Sequence, residues 1–200
     1  YLLQIEDLQV NLQVNLQVDL QVDAWLGLQL GVQLADLCLE EGSFYMNFKL
    51  SQRSLNKLQG VHPDLVAVAH RAIELTEVDF GVTYGMRTYS EQEQLVAQGR
   101  SQTMKSKHLL QDSGYSHAVD LVAYFGSDIS WELNVYDEIA DAMAQAAREV
   151  GIPLKWGAAW SEGDIREYSG TAEDAMNAYV DLRRSQGRRP FIDAPHFEMM

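Results

Sequence analysis

The sequence has few cysteines, few basic residues and no long apolar run, and each shortage excludes a class of protein. Its single cysteine, Cys38, excludes an internal disulfide. No apolar stretch reaches the roughly 18 residues that a membrane-spanning helix needs, so we predict no membrane insertion. Fifteen basic residues against 29 acidic ones give a net charge of −14. This charge argues against nucleic acid as a partner, because nucleic-acid binding needs a basic footprint.

The rest of the composition is that of an ordinary globular protein, with 46% apolar and 22% charged residues in a chain of 200. A chain of this length can bury a core large enough for one domain. We place that domain at residues 46–200, because the sequence changes character near Met46. Before it, residues 1–45 contain seven acidic residues and neither lysine nor arginine.

The first 45 residues are dominated by a four-residue repeat, which reads LQVN, LQVN, LQVD and LQVD over residues 8–23. Alternation of apolar and polar residues with a period of two is typical of a strand. One interpretation is a β-hairpin or an oligomerisation arm; the other is a low-complexity extension that is disordered or adventitious. The segment lacks the basic start of a signal peptide.

From Met46 onward, the pattern predicts an α+β fold with a small, mainly antiparallel sheet flanked by helices. Helices and strands interleave there without the regular rhythm of a doubly wound sheet. The predicted helices span residues 51–58, 63–75, 90–97, 134–150 and 171–186, with caps at Ser90 and Thr171 and a stop at Gly151. The predicted strands span residues 78–84, 118–124, 153–156 and 194–199.

Three metal-ligating side chains stand out along this domain: His108, Asp120 and His196. Strand alternation puts Asp120 on one face of its strand, and His196 shares a face with Glu198 on the last strand. A sheet that brings Asp120 beside His196, with His108 reaching over from a loop, would make a three-ligand zinc site. Two imidazoles and a carboxylate suit zinc, and an open fourth position is typical of catalytic sites. The sequence therefore predicts metal-assisted hydrolysis, with the zinc site on the sheet.

The motifs around these residues resemble a known family. Ser106-x-His108 followed by Ala118-x-Asp120 resembles the S-x-H-x-x-G-x-A-x-D signature of zinc peptidases that cut peptidoglycan stem peptides. Three further segments resemble the branch of phage L-alanyl-D-glutamate endopeptidases that act as endolysins. These are Gly85-Met86-Arg87-Thr88, the segment from Leu154 to Trp160, and Pro195-His196-Phe197-Glu198. The ordered set covers about residues 48–199.

The resemblance implies roles for the site residues. His108, Asp120 and His196 would bind Zn²⁺, Asp193 would be the general base, and Arg87 would hold the oxyanion or a substrate carboxylate. Glu198 is the rival base, because it shares a strand face with His196. Its other interpretation is a partner that orients a metal ligand.

The chain departs from the signature between its first two ligands. The signature places the aspartate seven residues after the histidine, whereas Asp120 follows His108 by twelve, which amounts to an insertion of about five residues around residues 111–115. If the longer loop moved His108 away from the metal, His117 would be the substitute ligand. Strand alternation argues against His117.

The resemblance also implies a substrate and a site of action. We expect a monomer that cleaves the L-alanyl-D-glutamate bond of the peptidoglycan stem peptide, held in the host cytoplasm until lysis and acting on the periplasmic cell wall. Two alternatives remain at this point: a D,D-carboxypeptidase or dipeptidase of the same fold, and an inactive peptidoglycan-binding module.

Overall fold

A computed structural model describes residues 48–200, so the predicted arm or extension in residues 1–45 lies outside the described residues. The helices are α1 (Gln52–Lys57), α2 (Pro63–Leu75), α3 (Tyr89–Ala97), α4 (Leu133–Val150) and α5 (Ala172–Ser185). The strands are β1 (Asp79–Tyr84), β2 (Ala118–Phe125), β3 (Asp128–Ser130), β4 (Leu154–Trp156) and β5 (His196–Met199). One 3-10 helix spans Ile165–Glu167. None of the described helices is both long and apolar enough to cross a membrane.

The five strands form one antiparallel sheet in the order β1-β2-β5-β4, and β3 also pairs with β2 as a short hairpin. Helices from both halves of the described range pack around this sheet, and α2 packs against α4. The predicted α+β class with a small antiparallel sheet is therefore confirmed. Strand β3 and the 3-10 helix are absent from the prediction, because a three-residue element leaves no readable period.

The pairing of β2 with β5 determines which side chains meet. Asp120 lies opposite His196, and Ala118 lies opposite Glu198. Because alternate residues of a strand face opposite sides, the residues between them point the other way. Val119 and Phe197 are accordingly fully buried in the core. One face of this strand pair therefore builds the core and the other carries ionisable groups.

Helix α4 anchors the core. Val135, Ile139, Met143 and Ala146 recur at helical spacing and are all buried. Full burial of a side chain such as Ile139 contributes about 1.5–3 kcal/mol, so this face stabilises the layer on which the sheet rests. The helix ends where Gly151 adopts a left-handed conformation with φ of 84°, which glycine adopts without strain.

Two helix caps show how local sequence sets the boundaries. Thr171 caps α5 in a reciprocal capping box with Asp174, so the predicted cap is confirmed. The predicted cap of α3 is wrong by two residues: Thr88 caps the helix, with Glu91 completing the box, and Ser90 lies inside the first turn. The residues around Ser90 offer the same capping pattern in two frames, and the structure uses the earlier one.

Candidate metal centre

The three predicted metal ligands converge on one point of the sheet. His108 Nε2 lies 3.0 Å from Asp120 Oδ1 and 3.2 Å from His196 Nδ1, and His196 Nδ1 lies 3.0 Å from the same Asp120 oxygen. Ligand atoms around a tetrahedral zinc lie roughly 3.3–3.6 Å apart, so this triangle is only slightly tighter than an occupied site. These three residues can hold a metal ion.

The orientation of His108 leaves the correct nitrogen free for a metal. Its Nδ1 lies 2.7 Å from the carbonyl oxygen of Gly85, which can only accept a hydrogen bond. Nδ1 therefore carries the hydrogen, and Nε2 presents its lone pair to the triangle. Gly85 must be glycine, because a Cβ there would lie 2.1 Å from the carbonyl oxygen of Lys57.

His196 is oriented in the same way by a carboxylate. Its Nε2 donates to Glu198 Oε2 at 3.1 Å, which leaves Nδ1 for the metal. Burial lowers the pKa of His196, but hydrogen bonds to Asp120 and Glu198 outweigh burial and raise that pKa to about 9. Metal binding at Nδ1 would require that nitrogen to be free of its proton.

Asp120 joins the triangle to a guanidinium. Its Oδ1 faces both imidazoles, and Arg87 forms an ion pair with its Oδ2. Burial raises the pKa of Asp120, but the charges and hydrogen bonds of His108 and His196 outweigh burial and hold that pKa far below its usual range. Asp120 is therefore a carboxylate at any working pH, as a metal ligand must be.

Arg87 has one N–H donor that pairs with no other described residue. Its Nε is buried and has no hydrogen-bond partner within residues 48–200. Its guanidinium carbon lies 4.9 Å from the centre of the Tyr84 ring, a cation–π distance that fixes the side chain. Its backbone N–H donates to the carbonyl of His108, which ties the arginine to a candidate ligand.

Asp193 reaches the site through a turn that packs on Gly157. The His196 N–H donates to the Asp193 carbonyl, and the Asp193 N–H donates to the Gly157 carbonyl. A Cβ at Gly157 would lie 2.4 Å from the Asp193 carbonyl oxygen, so only glycine lets the turn approach this closely. The Asp193 carboxylate lines the cleft and makes no hydrogen bond to another described residue. Burial raises its pKa, and the charge of Asp120 adds to that effect while His196 opposes it.

These groups lie in a cleft of about 670 Å³. Trp160 forms part of its wall, with its ring stacked 5.6 Å from the His196 ring and 6.3 Å from the Phe191 ring. Trp156 is instead fully buried in the core, where its Nε1–H donates to the carbonyl of Ala194. Of the two tryptophans in the segment from Leu154 to Trp160, only Trp160 can touch a ligand in the cleft.

His117, the alternative ligand, lies apart from the triangle. Its Nε2 is 2.7 Å from Ser113 Oγ, and its ring packs edge-on against His62 at 5.3 Å. The inserted residues 111–115 fold into a turn closed by the Gln111 N–H donating to the Tyr115 carbonyl. The insertion is thus absorbed locally, and His108 keeps its place beside Asp120.

One residue that supports the site is absent from the sequence predictions. Gln92 of α3 is fully buried, and its Nε2 donates to Ser101 Oγ and to the Thr103 carbonyl, both at 2.8 Å. It anchors the loop that leads to His108. A glutamine on an otherwise polar helix gives no sign of burial in the sequence, because the apolar periodicity of α3 is weak.

Comparisons with known proteins identify the family of this chain. The profile of the phage L-alanyl-D-glutamate peptidase family matches residues 46–200. The chain belongs to this family. The resemblance first seen in the motifs is therefore confirmed, and the family assignment covers the whole described fold.

Two family relatives give the extent of the similarity. The L-alanyl-D-glutamate peptidase of Escherichia phage T5 is 36% identical over 127 residues, which cover 61% of this chain and 89% of that protein. The crystal structure of the Serratia marcescens L-Ala D-Glu endopeptidase ChiX has a TM-score of 0.56 and 32% sequence identity. That match covers 79% of this chain and 94% of ChiX.

Proposed function

We propose that this protein is a zinc-dependent peptidase that hydrolyses the L-alanyl-D-glutamate bond of peptidoglycan stem peptides. The observation that carries the proposal is the oriented triangle of His108, Asp120 and His196 in an open cleft. Each imidazole is held by a separate acceptor with one nitrogen left free, as metal ligands require. Membership of the peptidase family supports the choice of bond.

The donor set fits zinc. His108 Nε2, His196 Nδ1 and Asp120 Oδ1 would hold the ion, and two nitrogens with one carboxylate oxygen are a common catalytic set. A zinc ion there would polarise the scissile carbonyl and lower the pKa of water toward about 7.

Asp193 is suited to the proton transfers of hydrolysis. Its carboxylate lines the cleft without a hydrogen-bond partner among the described residues, so it is free to take a proton from the attacking water. The same group would then deliver that proton to the leaving amine. Glu198 is committed to the Nε2–H of His196, which supports a positioning role for it rather than that of the base.

Arg87 is suited to stabilise the negative charge that develops on the carbonyl oxygen. Its buried Nε lacks a partner within the described range, and leaving such a donor unpaired costs about 1–3 kcal/mol. The carbonyl oxygen of the substrate becomes negatively charged as the transition state forms, and a hydrogen bond from Nε to that oxygen would relieve the cost at the step it accelerates.

The family relatives also support a site of action. The phage T5 relative is a phage peptidase, and a protein of this kind would be released onto the cell wall when the host lyses. We infer that this chain acts there as a monomer on the stem peptide, with neither nucleic acid nor membrane as a partner.

The decisive experiment is digestion of purified Gram-negative peptidoglycan with chelator-treated protein, with and without added zinc. Mass analysis of the soluble fragments should find new D-glutamate amino ends only in the sample with zinc. Release of terminal D-alanine would instead identify a D,D-carboxypeptidase. Binding to peptidoglycan without any cleavage would identify an inactive binding module.

A further inference from the structure

One wall of the cleft is cationic in a protein that is otherwise acidic. Arg100, Lys105 and Lys107 all line the cleft and lie on the segment that leads into His108. The whole chain has only 15 basic residues and a net charge of −14, so three of them on one short segment beside the metal centre form a local reversal of charge.

The side chains of these three residues form no ion pair within the described fold. Within residues 48–200, none of them lies within ion-pair distance of a carboxylate. Basic residues elsewhere do pair: Arg71 with Glu149, and Arg166 with Asp164. The cations of the cleft wall therefore remain available to an anion from outside the described fold.

The segment that carries them is held in place. Gln92 donates to Ser101 and Thr103 in its middle, and the N–H groups of Arg100 and Ser101 donate to the Leu95 carbonyl at its start. Near its end, the Lys107 carbonyl accepts a hydrogen bond from the N–H of His117, the residue just before β2. A cation displayed from an anchored backbone loses less entropy when it binds an anion.

Resting on the proposed function, we propose that Arg100, Lys105 and Lys107 form an anion subsite for the free carboxylate of the D-glutamyl residue. A glutamyl residue in a peptide uses one carboxyl group in its next amide bond and keeps the other as an anion. This residue lies directly after the scissile bond. Lys107 directly precedes His108 and lines the same cleft, so its flexible side chain is placed to meet a substrate residue held beside His108.

The subsite makes the protein selective for glutamate over its amide. A carboxamide has the shape of a carboxylate but lacks its charge, so it loses the charge-assisted contacts with lysine and arginine. Amidated stem peptides should therefore bind more weakly, and the chemical step should change little because the cations do not touch the reacting atoms.

Two synthetic stem peptides test the proposal, one with the free carboxylate on D-glutamate and one with a carboxamide there. The zinc-loaded wild-type protein should show a KM about tenfold lower for the carboxylate peptide at similar kcat. The variants Arg100→Gln, Lys105→Gln and Lys107→Gln, singly and combined, should raise KM for the carboxylate peptide and remove the preference. Arg53→Gln, an exposed cation on α1, is the control and should keep it.

The outcomes separate the subsite from the proposed function. Equal KM values for the two peptides with the wild-type protein, or an unchanged preference in the triple variant, would overturn the subsite and leave the peptidase assignment intact. Hydrolysis of neither peptide by the zinc-loaded wild-type protein would overturn the proposed function, and the subsite with it.

Discussion

His108 Nε2 lies 3.0 Å from Asp120 Oδ1, although twelve residues separate the two in sequence. The contact survives the insertion at residues 111–115 because those residues close into a turn of their own. Gly114 allows that turn, with φ of 83° and its N–H donating to the Gln111 carbonyl. Length added to a loop costs little when both ends of the loop are fixed. Here the ends are fixed by His108, whose Nδ1 is bound to the Gly85 carbonyl, and by strand β2.

This contact predicts which histidine binds zinc. His108→Ala should lose stoichiometric zinc, because two remaining ligands leave the site incomplete. His117→Ala should keep one zinc per chain, since His117 hydrogen-bonds Ser113 outside the triangle. Metal analysis after dialysis against weak chelator measures both. Full zinc in the His108 variant together with loss in the His117 variant would exchange their assignments.

Substitution of Asp193 and substitution of Glu198 should have different effects, the first on turnover and the second on zinc binding. Asp193→Asn should keep zinc and lower kcat by about 10²–10⁴, as loss of a positioned acid–base group does. Glu198→Gln should instead weaken zinc binding by about 10–100-fold, because Glu198 accepts the Nε2–H of His196 and a glutamine accepts it less strongly.

Zinc affinity and single-turnover rates at saturating zinc distinguish these effects. Normal turnover in the Asp193 variant would remove it as the base. A Glu198 variant that binds zinc normally and yet fails to turn over would transfer that role to Glu198.

Gln92 should matter for substrate binding although it lies outside the candidate metal centre. Gln92→Leu removes both donors to the loop at Ser101 and Thr103, at a stability cost of about 1–2 kcal/mol. With the cationic segment released, KM should rise and kcat should change little. Gln94→Leu is the matched control, because Gln94 is exposed on the same helix. Equal KM values in the two variants would contradict an anchoring role.

Much of the fold and the site follows from sequence patterns because the decisive features are local. Pro63 begins α2 at the predicted residue, and Gly151 ends α4. The facing of Asp120 and His196 follows from strand alternation once their strands pair. Motif order and the period of two were therefore enough to select the three candidate ligands that the fold brings together.

What could not be predicted depends on contacts between distant segments. The Gly85 carbonyl that orients His108, the closeness of Gly157 to Asp193 and the burial of Gln92 each join residues far apart in sequence. The sequence leaves two roles open for Glu198 for the same reason, since the choice depends on whether its carboxylate accepts a hydrogen bond from His196. The periodicity of apolar residues along the sequence gives no information about such long-range contacts.

The division of the chain near Met46 is a further prediction. A shortened chain that begins at Met46 should fold and digest peptidoglycan as the full chain does, because the family profile matches residues 46–200. Thermal unfolding and murein turbidity assays of both chains measure this. Loss of solubility or of activity on shortening would show that the LQVN and LQVD repeats are structural.

Asp137 should make the protein less stable above neutral pH. It lies on α4 at 8% exposure, and its Oδ1 is buried without a partner among the described residues. Burial, with the nearby charges of Glu173, Asp141 and Glu138, raises its pKa from 3.8 to about 6. The folded state therefore holds this proton more tightly than the unfolded state does. The stability that depends on the protonated Asp137 carboxyl is fully present below about pH 4 and is lost as the pH rises through about 6.

Asp137→Asn should remove that loss, because the amide stays neutral at every pH. Each pKa unit corresponds to about 1.4 kcal/mol, so the variant should gain up to roughly 3 kcal/mol in free energy of unfolding at pH 8 and little at pH 4. Urea unfolding at the two pH values measures the difference. Glu138→Gln removes the same charge from the adjacent, exposed position and should change stability much less at pH 8. A gain for Asp137→Asn that is equal at pH 4 and pH 8 would show that the buried carboxylate is not the cause.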